Sequence, residues 1–410
     1  MRLLISFAAL LLSVFLLQLG SGGLAPLDAI SGVELGFTTS QIGLLGSSHF
    51  LGFFIGCWWA PRLMGAVGHS RAFAAFTALG TIGILSHMLI IEAGAWMAMR
   101  VMTGLCIAGS YTVVESWLQA KVTNETRGRT MGVYRVVDIS GSLGAQLMIS
   151  ILEPAHYVSY NILALLCCAA LVPLVLTRVT QPAIPEAPRL RPTLAWQRSP
   201  LAAAGVISAG LTAAAFRMVG PVYGVEIGLT IDDIALFLAA FVLGGVVAQW
   251  PAGWAADRYD RRWVLIWLSG LAVLSCGITI LFASHGPTAA FVTAFFFGLA
   301  TFPIYSVAAA HAHDFADDAE RVELSAALMF LFALGAIASP WVVSTLIERF
   351  GPSAMFAFVS TAHVALIIFG LLRMRKRSTE TRTRYVYAPR TSFLIGRLLK
   401  KSRERTRGDT

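Results

Sequence analysis

Residues 253–262 read GWAADRYDRR, and the fold turns on how that stretch is read. Asp257, Arg258, Asp260, Arg261 and Arg262 crowd into six positions. Before them runs IALFLAAFVLGGVVAQWPA (234–252) and after them WVLIWLSGLAVLSCGITILFA (263–283), neither holding a charge. Apolar runs of about 20 residues are long enough to cross a bilayer as helices. The charge knot is then a short aqueous loop between two spans.

The pattern extends over the whole chain. Of 410 residues 57% are hydrophobic and 13% charged, with a mean hydropathy of +0.72. A soluble protein carries about 25% charged residues, so this composition indicates an integral membrane protein. Twelve apolar windows of about 20 residues lie at about 3–25, 41–60, 72–91, 95–118, 131–151, 157–178, 201–223, 233–256, 263–283, 288–310, 325–347 and 353–374. Helices suit them, because each satisfies its own backbone hydrogen bonds in lipid, and the runs lack the alternation of a β-barrel. The expected class is an all-α membrane protein of twelve spans. A cleaved signal peptide is the alternative for the first window, with Arg2 ahead of it and small residues at Gly20–Gly23.

Charge sets the orientation. An even number of spans puts both termini on one side. There lie Arg2, Arg62, Arg71, Lys121, Arg127, Arg129, Arg178, Arg189, Arg191, Arg198, Arg258, Arg261, Arg262, Arg321 and the tail. The opposite loops hold Arg349 with Asp28, Glu34, Glu92, Glu153, Glu226, Asp232 and Asp233. The positive-inside rule places both termini in the cytoplasm and the chain in the inner membrane. The net charge of +9 follows from this bias and the tail, and does not point to nucleic acid. All five cysteines fall inside spans without metal-ligand spacing, so packing is their expected role.

RVTQPAIPEAPRLRPTLAWQRSP (178–200) reads as a semi-extended cytoplasmic linker, being rich in Pro and Arg. It divides a six-span half (1–177) from a second (201–374), followed by a basic tail (375–410). A shift of 194 positions places Gly104 on Gly298, Tyr111 on Tyr305, Val113 on Val307, Arg127 on Arg321 and Gly141 on Gly335. Two parallel six-helix halves suggest a transporter with its site near the midplane.

Gly253, Asp257, Arg258, Arg261 and Arg262 resemble the G-x-x-x-D-R-x-x-R-R loop of the major facilitator superfamily, which that family carries between helices two and three and again between eight and nine. Physically, Gly253 permits close helix approach. Asp257, at a helix end, can pair with basic side chains of a neighbouring bundle in one conformation and release them in another. The alternative is a charged turn that fixes topology alone. The first-half loop, APRLMGAVGHSRAF (60–73), keeps Arg62, Gly68 and Arg71 but has Ala66 about where the Asp belongs, so the latch is asymmetric. RVMTGLCIAG (100–109) resembles the family's R-x-x-x-G, with Arg100 and Gly104. ESWL (115–118), TNETRGR (123–129) and the first-half loop look most like the YcaD-like branch. The resemblance implies a transporter and names no substrate.

Charges inside spans are functional candidates by default. A rise of about 1.5 Å per residue puts Arg100 in the outer third of window four and Glu115 near its inner end. Arg135 and Asp138 lie three apart on one face of window five, within reach of Glu115. Asp138 is either a proton or cation site beside Arg135, or part of a fixed Arg135–Asp138–Glu115 network. Arg217, before MVGPVYG (218–224), is a candidate for holding an anionic substrate group; the alternative is pairing with carbonyls at a helix break there. Arg100 reads more readily as a packing residue. Gln18, His49, Tyr111 and Tyr305 are further cavity candidates, and helix–helix hydrogen bonding is their plainer role. His87 and His363 fit that plainer role alone. His311 and His313, with Asp314, Asp317 and Asp318, have the residue types of a metal cluster, and His311 alone could serve as a proton relay, but solvated loop residues are the plainer reading.

The expected function is secondary transport of a small organic solute by a monomer in the lipid bilayer, with protons as the coupling ion and no cofactor. No G-x-x-x-x-G-K-[ST] loop is present for ATP. Efflux of amphipathic compounds is one alternative. The family's antiporter signature is incomplete, since SGSLGAQ (140–146) lacks its proline. A sensor that binds without translocating is another alternative, and an enzyme a third, for which no nucleophile–base pair stands out. The tail stretch SFLIGRLLKK (392–401) mixes apolar and basic residues and suits either the anionic inner leaflet or a disordered extension.

Overall fold

A computed structural model describes residues 2–121, 124–176, 191–317 and 320–374. The tail stretch at 392–401, Asp318 and the first part of the linker lie outside them. Among the described residues every regular element is helical. The chain divides into two compact units, Met1–Ala187 and Pro188–Thr410. Unit 1 holds α1 (Arg2–Glu34), α2 (Thr39–Val67), α3 (His69–Ser86), α4 (Ala93–Lys121), α5 (Asn124–Met148), α6 (Tyr157–Ala169) and α7 (Leu171–Leu176). Unit 2 holds α8 (Pro192–Arg198), α9 (Pro200–Glu226), α10 (Ile231–Arg258), α11 (Arg261–Phe282), α12 (Pro287–Thr301), α13 (Ile304–His313), α14 (Arg321–Phe350) and α15 (Ala354–Met374).

Among the described residues ten spans are long and apolar enough to cross a membrane, against twelve expected. Windows three and five are helical as α3 and α5 but are not among the ten; α3 opens on His69, Ser70 and Arg71, and α5 carries Arg135 and Asp138. Window six is interrupted between α6 and α7, and window ten between α12 and α13 at Phe302-Pro303. The expected break after Arg217 is absent: α9 continues through Pro221 to Glu226. The linker is also not extended throughout. Pro192–Arg198 form α8, tied to the start of α14 by Arg191–Glu323 at 3.0 Å and Arg198–Glu320 at 2.5 Å.

The two units repeat the same local chemistry. α2 opens on a capping box in which Thr38 and Gln41 bond each other's backbone N–H; α10 opens on the same box from Thr230 and Asp233. Gly36 and Gly228 precede them at φ of 75° and 80°, a conformation that favours glycine. Packing repeats too. In unit 1, α2 pairs with α4 and α1 with α5; in unit 2, α10 pairs with α12 and α9 with α14.

Reciprocal glycines set the closest of these contacts. A Cβ on Gly52 would lie 1.9 Å from the Val101 carbonyl oxygen, and one on Gly104 2.1 Å from that of His49. In unit 2, Gly244 meets the Phe295 oxygen at 1.9 Å and Gly298 the Phe241 oxygen at 2.0 Å. Small residues let backbones touch where lipid offers no hydrophobic drive. Outer faces are apolar: Leu89 and Trp250 are each 80% exposed and Ile151 79%. Such surface is stable against acyl chains and costly in water.

Candidate functional site

Unit 1 gathers four of the candidate residues into one polar chain. The Tyr111 hydroxyl on α4 contacts Gln18 Oε1 on α1 in a short hydrogen bond, and lies 3.2 Å from Asp138 Oδ1 on α5. Arg135 Nη1 donates to Asp138 Oδ2 at 2.8 Å. Gln18 and Tyr111 are buried; Asp138 and Arg135 are part-exposed, their side chains 15% and 29% accessible. Gly141 allows the α1–α5 approach, since a Cβ there would meet Gln18 Cβ at 2.9 Å. Glu115 Oε1 accepts from the hydroxyl of Tyr134, the neighbour of Arg135, at 3.0 Å. A carboxylate held by a guanidinium and a phenol, open on one side, can exchange partners with a proton or an anionic solute.

A second charged cluster was not expected. Asp28, placed by sequence in an outer loop, is 2% exposed inside α1, which runs on to Glu34. Arg100 Nε lies 3.6 Å from Asp28 Oδ2 and His87 Nε2 3.4 Å from the same oxygen, with Arg100 2% exposed and His87 fully buried. His87 thus faces a carboxylate as well as the backbone of its own helix. Its Nδ1 sits 2.8 Å from the Gly83 carbonyl, which only accepts, so Nδ1 carries a proton. Its Nε2 faces the Asp28 carboxylate. The His87 ring stacks on Tyr160 at 5.5 Å, and Trp96 Nε1 donates to the His87 carbonyl at 2.8 Å. Arg100 and His49 also line a small cleft with Ser21 and Thr103. A signal for Asp28 was present in the sequence, where helical periodicity continues past the last strongly apolar residue.

Unit 2 has an aromatic interior instead. Phe216 stacks on Phe241 at 3.9 Å and lies 5.4 Å from Phe297, while Tyr305 meets Phe332 edge-on at 5.3 Å. Arg217 is exposed on α9 between buried Phe216 and Met218, and among the described residues it has no hydrogen-bond or ion-pair partner. Its placement does not fit the carbonyl-pairing alternative.

The charge knot is built around Arg261, which is 2% exposed. Its Nη1 donates to Asp314 Oδ1 at 2.5 Å and to the Ala310 carbonyl at 3.1 Å, and its Nε to the Ala256 carbonyl at 3.3 Å. Asp257 is part-exposed, 3.8 Å from Arg261. Gly253 is buried in α10, and Arg258 stacks over Trp254 at 5.6 Å. Asp260 caps α11 by accepting from the Arg262 N–H at 2.9 Å, and pairs with the Arg262 guanidinium at 2.7 Å. Partial burial pushes the Asp260 carboxyl up, but the bonds from Arg262 outweigh it and hold it below the usual range. In unit 1 the matching helix start carries buried His69, bonded to Ser116 Oγ at 3.2 Å. His313 bonds Ser325 at 3.2 Å, and among the described residues no metal-holding group forms around it.

Two units of membrane helices with repeated packing and intramembrane charge define a membrane transporter of the two-half class. The comparisons agree. The model for Major Facilitator Superfamily proteins matches residues 201–404, and that for sugar (and other) transporters matches 10–195. The chain belongs to the major facilitator superfamily. It is 28% identical over 340 residues to an uncharacterised MFS-type transporter of Enterobacter sp. (strain 638), covering 82% of this chain and 87% of that one. It is 26% identical over 350 residues to the uncharacterised MFS-type transporter YcaD of Escherichia fergusonii, covering 85% and 90%. Its fold matches the nucleoside transporter NupG with a TM-score of 0.75 at 14% identity, over 91% and 99% of the chains. A D-xylose-proton symporter matches at 0.69 and 14%, over 95% and 98%.

Proposed function

We propose that the chain is a secondary active transporter in the inner membrane, with both termini in the cytoplasm. It moves a small organic solute by alternating access as a monomer, coupled to protons. The observation that carries this reading is Asp138, part-exposed on a membrane helix and held by Arg135 and Tyr111. A proton on Asp138 removes its charge and releases Arg135. An anionic group of the solute can then take the carboxylate's place on that guanidinium. Arg217, exposed on α9 and without a partner among the described residues, is a separate candidate cation within unit 2. Similarity to a proton symporter supports the choice of ion, by fold alone.

The buried Asp28–His87 pair beside Arg100 supports a second reading of where the proton binds. One experiment separates the two. Vesicles of both orientations, with and without an imposed proton gradient, are given a metabolite extract, and their contents are read by mass spectrometry against vesicles lacking the protein. Asp138→Asn is expected to remove most gradient-driven accumulation, as loss of a functional intramembrane charge does, while leaving solute exchange without a gradient. If Asp138→Asn keeps gradient-driven uptake and Asp28→Asn loses it, the buried pair is the proton site. No accumulation by the folded wild type in either orientation defeats the transport reading and favours the sensor.

A further inference from the structure

Four helix ends of unit 2 converge on one cleft. Ser199, Pro200 and Leu201 line it from the start of α9, Arg262 from the start of α11, His311 from α13 and Arg373 from the last turn of α15. His311 is only 6% exposed, yet among the described residues it has no hydrogen-bond or ion-pair partner; its ring rests edge-on against Phe315 at 5.1 Å. A buried imidazole is costly unless something accepts or donates a bond to it. The carboxylates that act on it, Asp260 and Asp314, are each engaged by an arginine, Arg262 and Arg261. Arg373 has no carboxylate partner among the described residues, so the cleft wall keeps a positive charge.

The backbone adds to this. α9 is 27 residues long and begins at the cleft. Ser199 Oγ accepts from the Ala202 N–H and the Ser199 carbonyl from the Ala203 N–H. Pro200 has no N–H, and among the described residues that of Leu201 has no acceptor, at the positive end of the helix dipole. The Ser199 hydroxyl proton is also left to donate. Together these are a guanidinium, an imidazole, a hydroxyl and a helix-end N–H around one opening, a donor set that matches a tetrahedral oxyanion.

We propose that this cleft binds a phosphate group, at the end of unit 2 that the positive-inside rule places in the cytoplasm. The group is carried either by an anionic phospholipid of the inner leaflet or by a soluble phosphate. The test uses the full chain in phosphatidylcholine nanodiscs, titrated with inorganic phosphate against chloride at equal ionic strength, and in matched nanodiscs containing phosphatidylglycerol. Readouts are the unfolding midpoint and phosphatidylglycerol retention in native mass spectrometry. Arg373→Gln is expected to weaken the responding ligand by about fivefold, the usual worth of one basic residue at an anionic surface, and His311→Gln to weaken it further. A response to phosphate in pure phosphatidylcholine identifies the soluble source; a response confined to phosphatidylglycerol identifies the lipid. If His311→Gln does not fold, the half-exposed Arg373→Gln decides. The proposal is overturned if neither ligand has an effect, or if both bind Arg373→Gln as they bind wild type.

Discussion

Arg261 and Asp314 are joined at 2.5 Å with side chains 2% and 8% accessible. Removing one partner leaves an unpaired buried charge, a loss of about 3–5 kcal/mol, whereas removing both often costs little. Arg261→Met should therefore lower the unfolding midpoint sharply, and Arg261→Met/Asp314→Leu should recover most of the loss. A double variant as unstable as the sum of the singles would show that the pair does not act as a unit. Sequence reading singled out Arg261 through the loop pattern but gave the partnering role to Asp257. The partner found is 53 residues away on a different helix turn. Loop spacing reveals which charges sit at a helix end, but not which distant side chain the fold brings to them. Asp28 was misplaced for a related reason: an acidic residue ends an apolar window, while the backbone helix continues as long as packing covers it.

At the level of elements, glycine placement decides how closely helices pair. Gly52 and Gly244 sit at matching contacts, where an added Cβ would lie 1.9 Å from a backbone oxygen of the facing helix. A larger side chain must push the helices apart, since backbone cannot rotate away; overpacking of this kind costs about 1–3 kcal/mol. Gly52→Val and Gly244→Val are expected to lower the unfolding midpoint by similar amounts. Gly270→Ala in α11, with open space around it, should be neutral or mildly stabilising, because Ala favours a helix by about 1 kcal/mol over Gly. Equal loss in all three would mean that close approach is not what these glycines provide. Ten of the twelve apolar windows correspond to full-length apolar spans. The remaining two are α3 and α5, and α5, the more polar of them, supplies Arg135 and Asp138. Polar residues weaken the hydropathy signal of a span at the positions where it carries chemistry.

For the molecule as a whole, the two units share a plan and differ in content. Unit 1 buries the charged residues Asp28, Arg100 and Glu115; unit 2 fills its interior with stacked phenylalanines and keeps its buried charged side chains, Arg261, Asp314 and Arg321, at the helix ends. Each unit has its own internal packing, so residues 188–410 expressed alone should remain helical in detergent by circular dichroism. In that fragment Arg261→Met should reduce stability as much as in the full chain, because every partner of Arg261 named above lies in unit 2. A fragment that loses its helices would show that unit 2 depends on unit 1 to fold.

The sequence by itself determined the solvent, the helical class and the superfamily. Those follow from local quantities: runs of apolar residues, the Lys and Arg bias between loops, and a loop motif with fixed spacing. It also supplied Gln18, Tyr111, Arg135 and Asp138 as candidates, since each is a polar residue in an apolar run. Only the tertiary structure decided that these four touch, that Asp28 sits against His87 and Arg100, that Arg261 answers to Asp314, and that four helix ends enclose His311. These pairings join residues far apart in the chain, and they are set by which helix faces meet and how closely glycines let them approach. Hydropathy registers how apolar a helix is; it carries no information about its neighbour.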